Sequence, residues 1–130
     1  MTTTYAIALG VIAGAVLGAA FVHGLHAQTG PKAYLVSETE TLDPAVLVAY
    51  VPVVQAALEA AGGRPAVISS IGGKVVPLVG EAPGNYVISE WDSLAKAKAW
   101  VESAAWNALR PQRDKSYRTV RQFIVEMAPK

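Results

Sequence analysis

Tyr86-Val87-Ile88-Ser89-Glu90-Trp91-Asp92-Ser93 is the stretch on which the fold turns. The first six residues are rich in β-branched and aromatic side chains and read as a strand, central in its sheet. Asp92 or Ser93 then offers the side-chain oxygen that caps a helix. Leu94, Ala97, Trp100 and Val101 follow at three- and four-residue steps, which places them on one inner helical face. A strand thus hands directly to an amphipathic helix. The same unit occurs upstream. Ala33 to Glu40 alternates, with Tyr34 and Val36 set against Leu35 and Ser37. Asp43-Pro44 supplies a cap acceptor and a proline at the first helical position. Val46, Leu47, Tyr50, Val51, Val54 and Leu58 continue at helical spacing, and Gly62-Gly63 stops the helix. Pro52 falls inside this helix and is expected to bend it or split it in two.

Between the two units, Ala66 to Ile71 reads as a strand and Gly72-Gly73 as a two-residue hairpin turn, with Lys74 to Val79 continuing beyond it. Pro77 demotes that last piece to an edge or a bulge. Pro83-Gly84-Asn85 is a further turn. After the second helix, Ser103 to Arg110 reads as a broken continuation and Thr119 to Met127 as the final strand. The order is strand, helix, strand, strand, helix, strand. This predicts an α+β, ferredoxin-like βαββαβ antiparallel sheet with two helices on one face. The opposite face then requires cover, by a second copy or by another subunit, unless Ser37, Ser69, Ser89 and Glu90 make it polar.

The first thirty residues carry no charged side chain, and Tyr5 to His23 is apolar but for its two ends. Nineteen helical residues span roughly 28 Å, close to the hydrocarbon thickness of a bilayer. Residues 1–27 are therefore expected to form a transmembrane helix, 28–31 a linker and 32–130 the ferredoxin-like domain. Gly10, Gly14 and Gly18 recur every four residues and form a helix-packing face for other transmembrane subunits. The alternative is a signal peptide cleaved after Ala27, but the missing basic start and the long apolar core favour an anchor. His23, with Ala19 one turn before it, is a candidate pigment ligand, against an interfacial histidine that bonds water or headgroups. The expected location is the inner membrane, single-pass, with the domain in the periplasm.

All eleven Lys and Arg and all ten acids follow this leader, so the domain is near neutral and gives no electrostatic case for nucleic acid. Arg110, Arg113, Lys115, Arg118 and Arg121 crowd the C-terminal quarter against Asp114. They read as a solvated helix end and strand, or as a patch for lipid headgroups or an acidic partner.

Tyr34, Asp43, Tyr50, Gly62-Gly63-Arg64, Gly72-Gly73, Gly80, Trp91, Ala99-Trp100, Ser103, Trp106 and Arg113 fall in one order and spacing. In this, Lys32 to Glu126 resembles the bacterial family known as domain of unknown function 1330. The resemblance implies a dimeric α/β barrel, in which two ferredoxin-like sheets pack face to face. That superfamily includes cofactor-free monooxygenases and haem enzymes, so the fold leaves the function open. This chain reads Ser103-Ala104-Ala105-Trp106 where the family usually has Ser-Pro-Glu-Tyr. It has Ser69-Ser70 where an Arg commonly precedes the Gly-Gly turn. Both departures remove charge from the expected pocket.

The domain has no His and no Cys, which excludes the usual metal sets and Ser-His or Cys-His nucleophiles. Glu38 and Glu40 are a close pair of acids and read as a solvated edge. Neither Gly-Gly pair opens a phosphate loop. No metal and no cofactor is expected. Tyr50, Arg64, Trp91, Trp100, Trp106 and Arg113 remain as ligand-pocket candidates, against the plainer reading of core aromatics and arginines paired with Asp43, Glu90 or Asp92. The sequence therefore leans away from catalysis. It favours a membrane-anchored accessory subunit of a larger bacterial membrane complex, a photosynthetic light-harvesting or reaction-centre complex being one example. The alternatives are an exported homodimer that binds a small molecule, and a cofactor-independent oxygenase or isomerase of the dimeric-barrel type.

Overall fold

The computed structural model describes residues 30–68 and 74–129. Strand β1 (Ala33–Thr41) leads to helix α1 (Pro44–Ala60), then to strands β2 (Arg64–Ile68) and β3 (Asn85–Trp91). Helices α2 (Leu94–Glu102), α3 (Ala104–Ala108) and α4 (Arg110–Ser116) follow, and strand β4 (Tyr117–Glu126) closes the chain. The strands form one sheet in the order β2-β3-β1-β4, with every neighbouring pair antiparallel. This is the α+β, ferredoxin-like arrangement expected from the sequence, extended by two short helices.

Local chemistry places the ends of α1. Asp43 Oδ1 accepts from the amides of Ala45 at 2.9 Å and Val46 at 3.1 Å, with Pro44 opening the helix. At the other end Gly62 takes φ +91°. Its amide donates to the Glu59 carbonyl and that of Gly63 to the Leu58 carbonyl. These two bonds satisfy carbonyls that the helix leaves open. Pro52 does not split α1, which runs through it as one helix. Pro52 is exposed, as is Val48 one turn earlier, so water can take the bond that the missing amide would have made.

Ala33, Leu35, Ser37 and Thr39 of β1 are buried beneath the helices. Their sheet neighbours on the same face are Trp91, Ser89 and Val87 of β3 and Ile124 and Gln122 of β4. Ala33, Leu35 and Trp91 meet Leu58 of α1 and Ala97 and Trp100 of α2 in the main core. Ser37 and Ser89 thus point inward, contrary to the expectation that serines make the outer face polar. That outer face carries Tyr34 and Val36, which pair with Glu90 and Ile88 on one side and Val125 and Phe123 on the other. Phe123 and Val125 are 44% and 45% exposed.

Ion pairs bound this apolar strip. At one end Glu90 accepts from Lys32 Nζ at 2.6 Å, Arg64 Nε at 3.1 Å and the Tyr34 hydroxyl at 3.1 Å. Arg64 also donates to Asp92 at 2.7 Å, and Lys96 joins Asp92 at 3.1 Å. At the other end Arg121 meets Glu38 at 3.1 Å, and Arg118 pairs with Glu40. Two members of the basic cluster expected in the C-terminal quarter, Arg118 and Arg121, therefore have acidic cross-strand partners.

Three further expectations are corrected. Lys74 to Val79 forms no strand; Val76, Leu78 and Val79 are exposed, and Pro77 has no amide for a ladder. Arg110–Ser116 is a helix, and Tyr117 rather than Thr119 starts the last strand. The transmembrane helix is the third. Among the described residues no helix is long and apolar enough to cross a membrane. The longest, the 17-residue α1, is two-sided, with Leu47, Tyr50, Val51 and Leu58 buried and Val48 and Val53 exposed. The accessory-subunit function and the single-pass inner-membrane location rested on that span and are withdrawn with it. Gly10, Gly14, Gly18, Ala19 and His23 lie outside the described residues, as do Ser69, Ser70 and the Gly72-Gly73 turn.

Two outcomes follow for stability. A Cβ at Gly63 would sit 2.6 Å from Cζ2 of Trp91 and 2.8 Å from Cδ2 of Leu58. Gly63→Ala should lower the unfolding free energy by about 1–3 kcal/mol, the usual cost of overpacking, and urea denaturation measures it. The second concerns acid. Hydrogen bonds from Lys32 and Arg64 hold Glu90 below its ordinary 4.5, and those from Arg64 and Lys96 hold Asp92 below its ordinary 3.8. A depressed carboxyl stabilises the fold fully above its unfolded value and loses that contribution as pH falls through the folded one. Melting temperature should thus drop below pH 4.5 and drop less steeply in Glu90→Gln; parallel acid limbs would refute the network's role.

Candidate functional site

A cavity of ≈ 70 Å³ lies between the helix layer and the inner sheet face. Its floor is Leu35, Ser37 and Thr39 of β1, Val87 and Ser89 of β3, and Tyr117 and Gln122 of β4. Its roof is α1, through Leu47, Tyr50, Val51, Val54 and Leu58, with Trp100 of α2 and Trp106 of α3 closing one side. None of these side chains is charged. The sheet contributes the polar groups: Ser37 Oγ accepts from Gln122 Nε2 at 2.9 Å, and Ser89 Oγ accepts from Trp91 Nε1 at 3.0 Å.

Tyr50 is the group that this enclosure does not satisfy. Its side chain is 1% exposed and its hydroxyl makes no hydrogen bond of acceptable geometry. Its ring meets that of Tyr117 edge-on, centroids 5.9 Å apart. Burial pushes the Tyr50 phenol above its ordinary 10.0, and the nearby Tyr117 hydroxyl and Arg113 guanidinium only partly oppose this. Burial likewise raises Tyr117, with the neighbouring Tyr50 adding to the shift. Both phenols are therefore protonated at neutral pH and act as hydrogen-bond donors rather than bases.

The wall beside Tyr50 is built from the break that the sequence places at Ser103. That residue leaves the helical region, at φ −72° and ψ 153°, so α2 ends and α3 begins on it. Ser103 Oγ donates to the Trp100 carbonyl at 2.7 Å and accepts from the Trp106 amide at 3.1 Å. Trp91, Trp100 and Trp106 then form a column, with centroids 5.9 Å and 5.4 Å apart. Arg113 ends it. Its guanidinium lies 4.0 Å from the Trp106 ring centroid, and Nη1 donates to the Trp106 carbonyl at 3.0 Å.

Of the sequence candidates, Tyr50, Trp100 and Trp106 line the cavity. Trp91 is in the core behind Trp100, and Arg113 backs Trp106. Arg64 is elsewhere, at the sheet edge, where its bonds to Glu90 and Asp92 occupy it. Ser37, Thr39, Ser89, Tyr117 and Gln122 were missed. The available signal was the strand alternation itself, which puts Ser37 on the side of Leu35. Among the described residues no three of His, Asp and Glu gather to hold a metal ion.

An orphaned buried hydroxyl costs about 1–3 kcal/mol. Tyr50→Phe should therefore leave the fold as stable as the parent or stabilise it by about 1 kcal/mol, as read from chemical denaturation of the ligand-free protein. A loss above 1 kcal/mol would mean that the hydroxyl has a structural partner.

The family model described as Domain of unknown function (DUF1330) matches residues 32–128. No curated protein matches the chain. Among solved structures, a protein of unknown function from Rhodopseudomonas palustris is similar at 17% identity and a TM-score of 0.51, over 78% of this chain and 84% of that one. A Chloroflexus aurantiacus protein, whose name proposes an antibiotic biosynthesis monooxygenase, is similar at 13% identity and a TM-score of 0.46, over 75% of this chain and 93% of its own. A conserved protein from Methanosarcina mazei is similar at 12% identity and 0.46, over 81% and 99%. The first likeness bears on the fold alone. The family match spans nearly the whole described domain, and the chain belongs to the DUF1330 family.

Proposed function

We propose that this domain binds a small organic molecule in the cavity between α1 and the sheet, and that it does so as a homodimer paired through the outer sheet face. The observation that carries the first part is Tyr50, a cavity-lining residue that is 1% exposed and whose hydroxyl makes no hydrogen bond of acceptable geometry. Native proteins rarely leave a buried donor unpaired, and a ligand oxygen would complete it. The remaining lining is mainly apolar, with hydroxyls of Ser37, Thr39 and Ser89 on the floor. This suits a ligand that is mostly hydrocarbon with one or two oxygens. Supporting the second part, Val36, Ile88, Phe123 and Val125 lie on one flat face flanked by the Glu90 and Glu38 ion pairs. Contiguous apolar surface of this kind calls for a partner, and a self-complementary sheet face accepts a second copy.

Binding without chemistry fits the protonation of the site better than turnover does. The two phenols are held protonated, and an arginine is a poor general base. A cofactor-independent oxygenase would need a group that takes a proton from its substrate, and none of the lining side chains is suited to that.

Both parts are testable. In a screen of small alcohols, ketones, amides and acids, binders should move the indole resonances of Trp100 and Trp106. Tyr50→Phe should weaken each by about tenfold, equivalent to one hydrogen bond of ~1.4 kcal/mol. If no compound of any class moves either indole, the cavity is not a ligand site. For the pairing, Phe123→Asp on the outer face should convert a dimer into a folded monomer by light scattering; a monomeric parent would refute it.

A further inference from the structure

A nearly buried cation stands behind the unpartnered phenol. The Arg113 side chain is 11% exposed. Its nearest carboxylate, on Asp114, is 60% exposed and 3.8 Å away. Arg64, by contrast, meets Asp92 at 2.7 Å on the surface. Arg113 is held by a carbonyl and an aromatic face, both from Trp106. Such contacts offset part of the hydration that a buried guanidinium loses, but they supply no opposite charge.

The cavity on the other side of Trp106 contains no anion. Every lining side chain is neutral. Tyr50 and Tyr117 bring two phenols to one end of it, rings 5.9 Å apart, and Arg113 lies close enough to both to favour negative charge on their oxygens. Donors and positive potential thus converge on a cavity whose lining includes no carboxylate. What completes this set is a ligand oxygen that carries charge.

We propose that the ligand is a small carboxylic acid bound as its carboxylate, one oxygen on the Tyr50 hydroxyl, with Arg113 as the charge that selects the anion. This rests on the reading of the cavity as a ligand site. Arg113 is a specificity-determining residue here, acting from behind Trp106. The volume limits the acid. A cavity of ≈ 70 Å³ is about half of the ~150 Å³ that takes up a benzene, which suits a short aliphatic acid. Its hydrocarbon end packs against Leu47, Val51 and Val54.

The test compares two probes of equal size, propionate and propionamide, titrated into the full chain while the Trp100 and Trp106 indole resonances are followed. Propionate should saturate at a concentration at least tenfold lower than propionamide. Arg113→Gln should bring propionate to the level of the amide and leave the amide unchanged, while Arg113→Lys keeps part of the preference. Tyr50→Phe should weaken both. If propionamide binds as well as propionate, the acid assignment fails and the cavity remains a ligand site. If neither probe nor any neutral compound moves either indole, the ligand site fails and the assignment with it. A propionate response that persists unchanged in both Tyr50→Phe and Arg113→Gln is surface binding and overturns the proposal. The parent's own ratio of propionate to propionamide decides the matter even if Arg113→Gln does not fold.

Discussion

The domain is organised around where Trp91 can go. An indole buries more surface than almost any other side chain, but it brings an N–H that must be met. Here the ring is wholly buried at the end of β3, and Ser89 on the same strand face accepts its proton. To admit it, the loop after α1 must come within van der Waals reach without a side chain, which Gly63 allows. Trp100 then stacks on Trp91 and places α2 over the sheet, Trp106 follows on α3, and Arg113 on α4 closes the column. One buried ring therefore sets the return of α1, the height of α2 and, through the column, the wall of the cavity.

The same packing gives the sheet an unusual division of polarity. The inner face, where a small domain needs apolar area most, includes Ser37, Thr39 and Ser89, all buried. The outer face has Val36, Ile88, Phe123 and Val125 in register across three strands. A domain of this size has little apolar burial to spare. Placing hydroxyls beneath the helices while leaving valines and a phenylalanine outside lowers the stability of the isolated domain. Both features make sense together if the inner face holds something and the outer face is covered.

The elements that local chemistry dictates were legible in the sequence. Asp43-Pro44 and Ser93 name helix starts and Gly62-Gly63 a stop, because a cap needs only its own neighbours. The alternation from Tyr34 to Glu38 gave β1, and the order of elements gave the sheet. What escaped reading depends on register. Whether Arg118 and Arg121 form a basic patch is decided by Glu40 and Glu38 opposite them, across a bulge between Glu38 and Thr39 that no pattern announces. Arg64 looks like a pocket residue by its place after the glycines, yet pairing sets it opposite Glu90. The aromatics were found as a set, but Tyr117 was hidden, since it joins Tyr50 only once α4 has turned the chain back. The apolar leader decides no function, because its residues lie outside the described ones, and the longest described helix is two-sided.

The state of the two phenols narrows what the site does more than any single distance. A tyrosine becomes a base or a nucleophile only when its pKa is brought toward neutrality, and burial here drives both the other way. Arg113 opposes that shift without cancelling it. A proton donor that stays a donor, next to a cation, suits the proposed binding of a ligand oxygen. In the proposed complex a carboxylate would relieve two costs at once: the Tyr50 hydroxyl that lacks a well-formed hydrogen bond, and the buried Arg113 charge that an exposed Asp114 at 3.8 Å compensates only weakly.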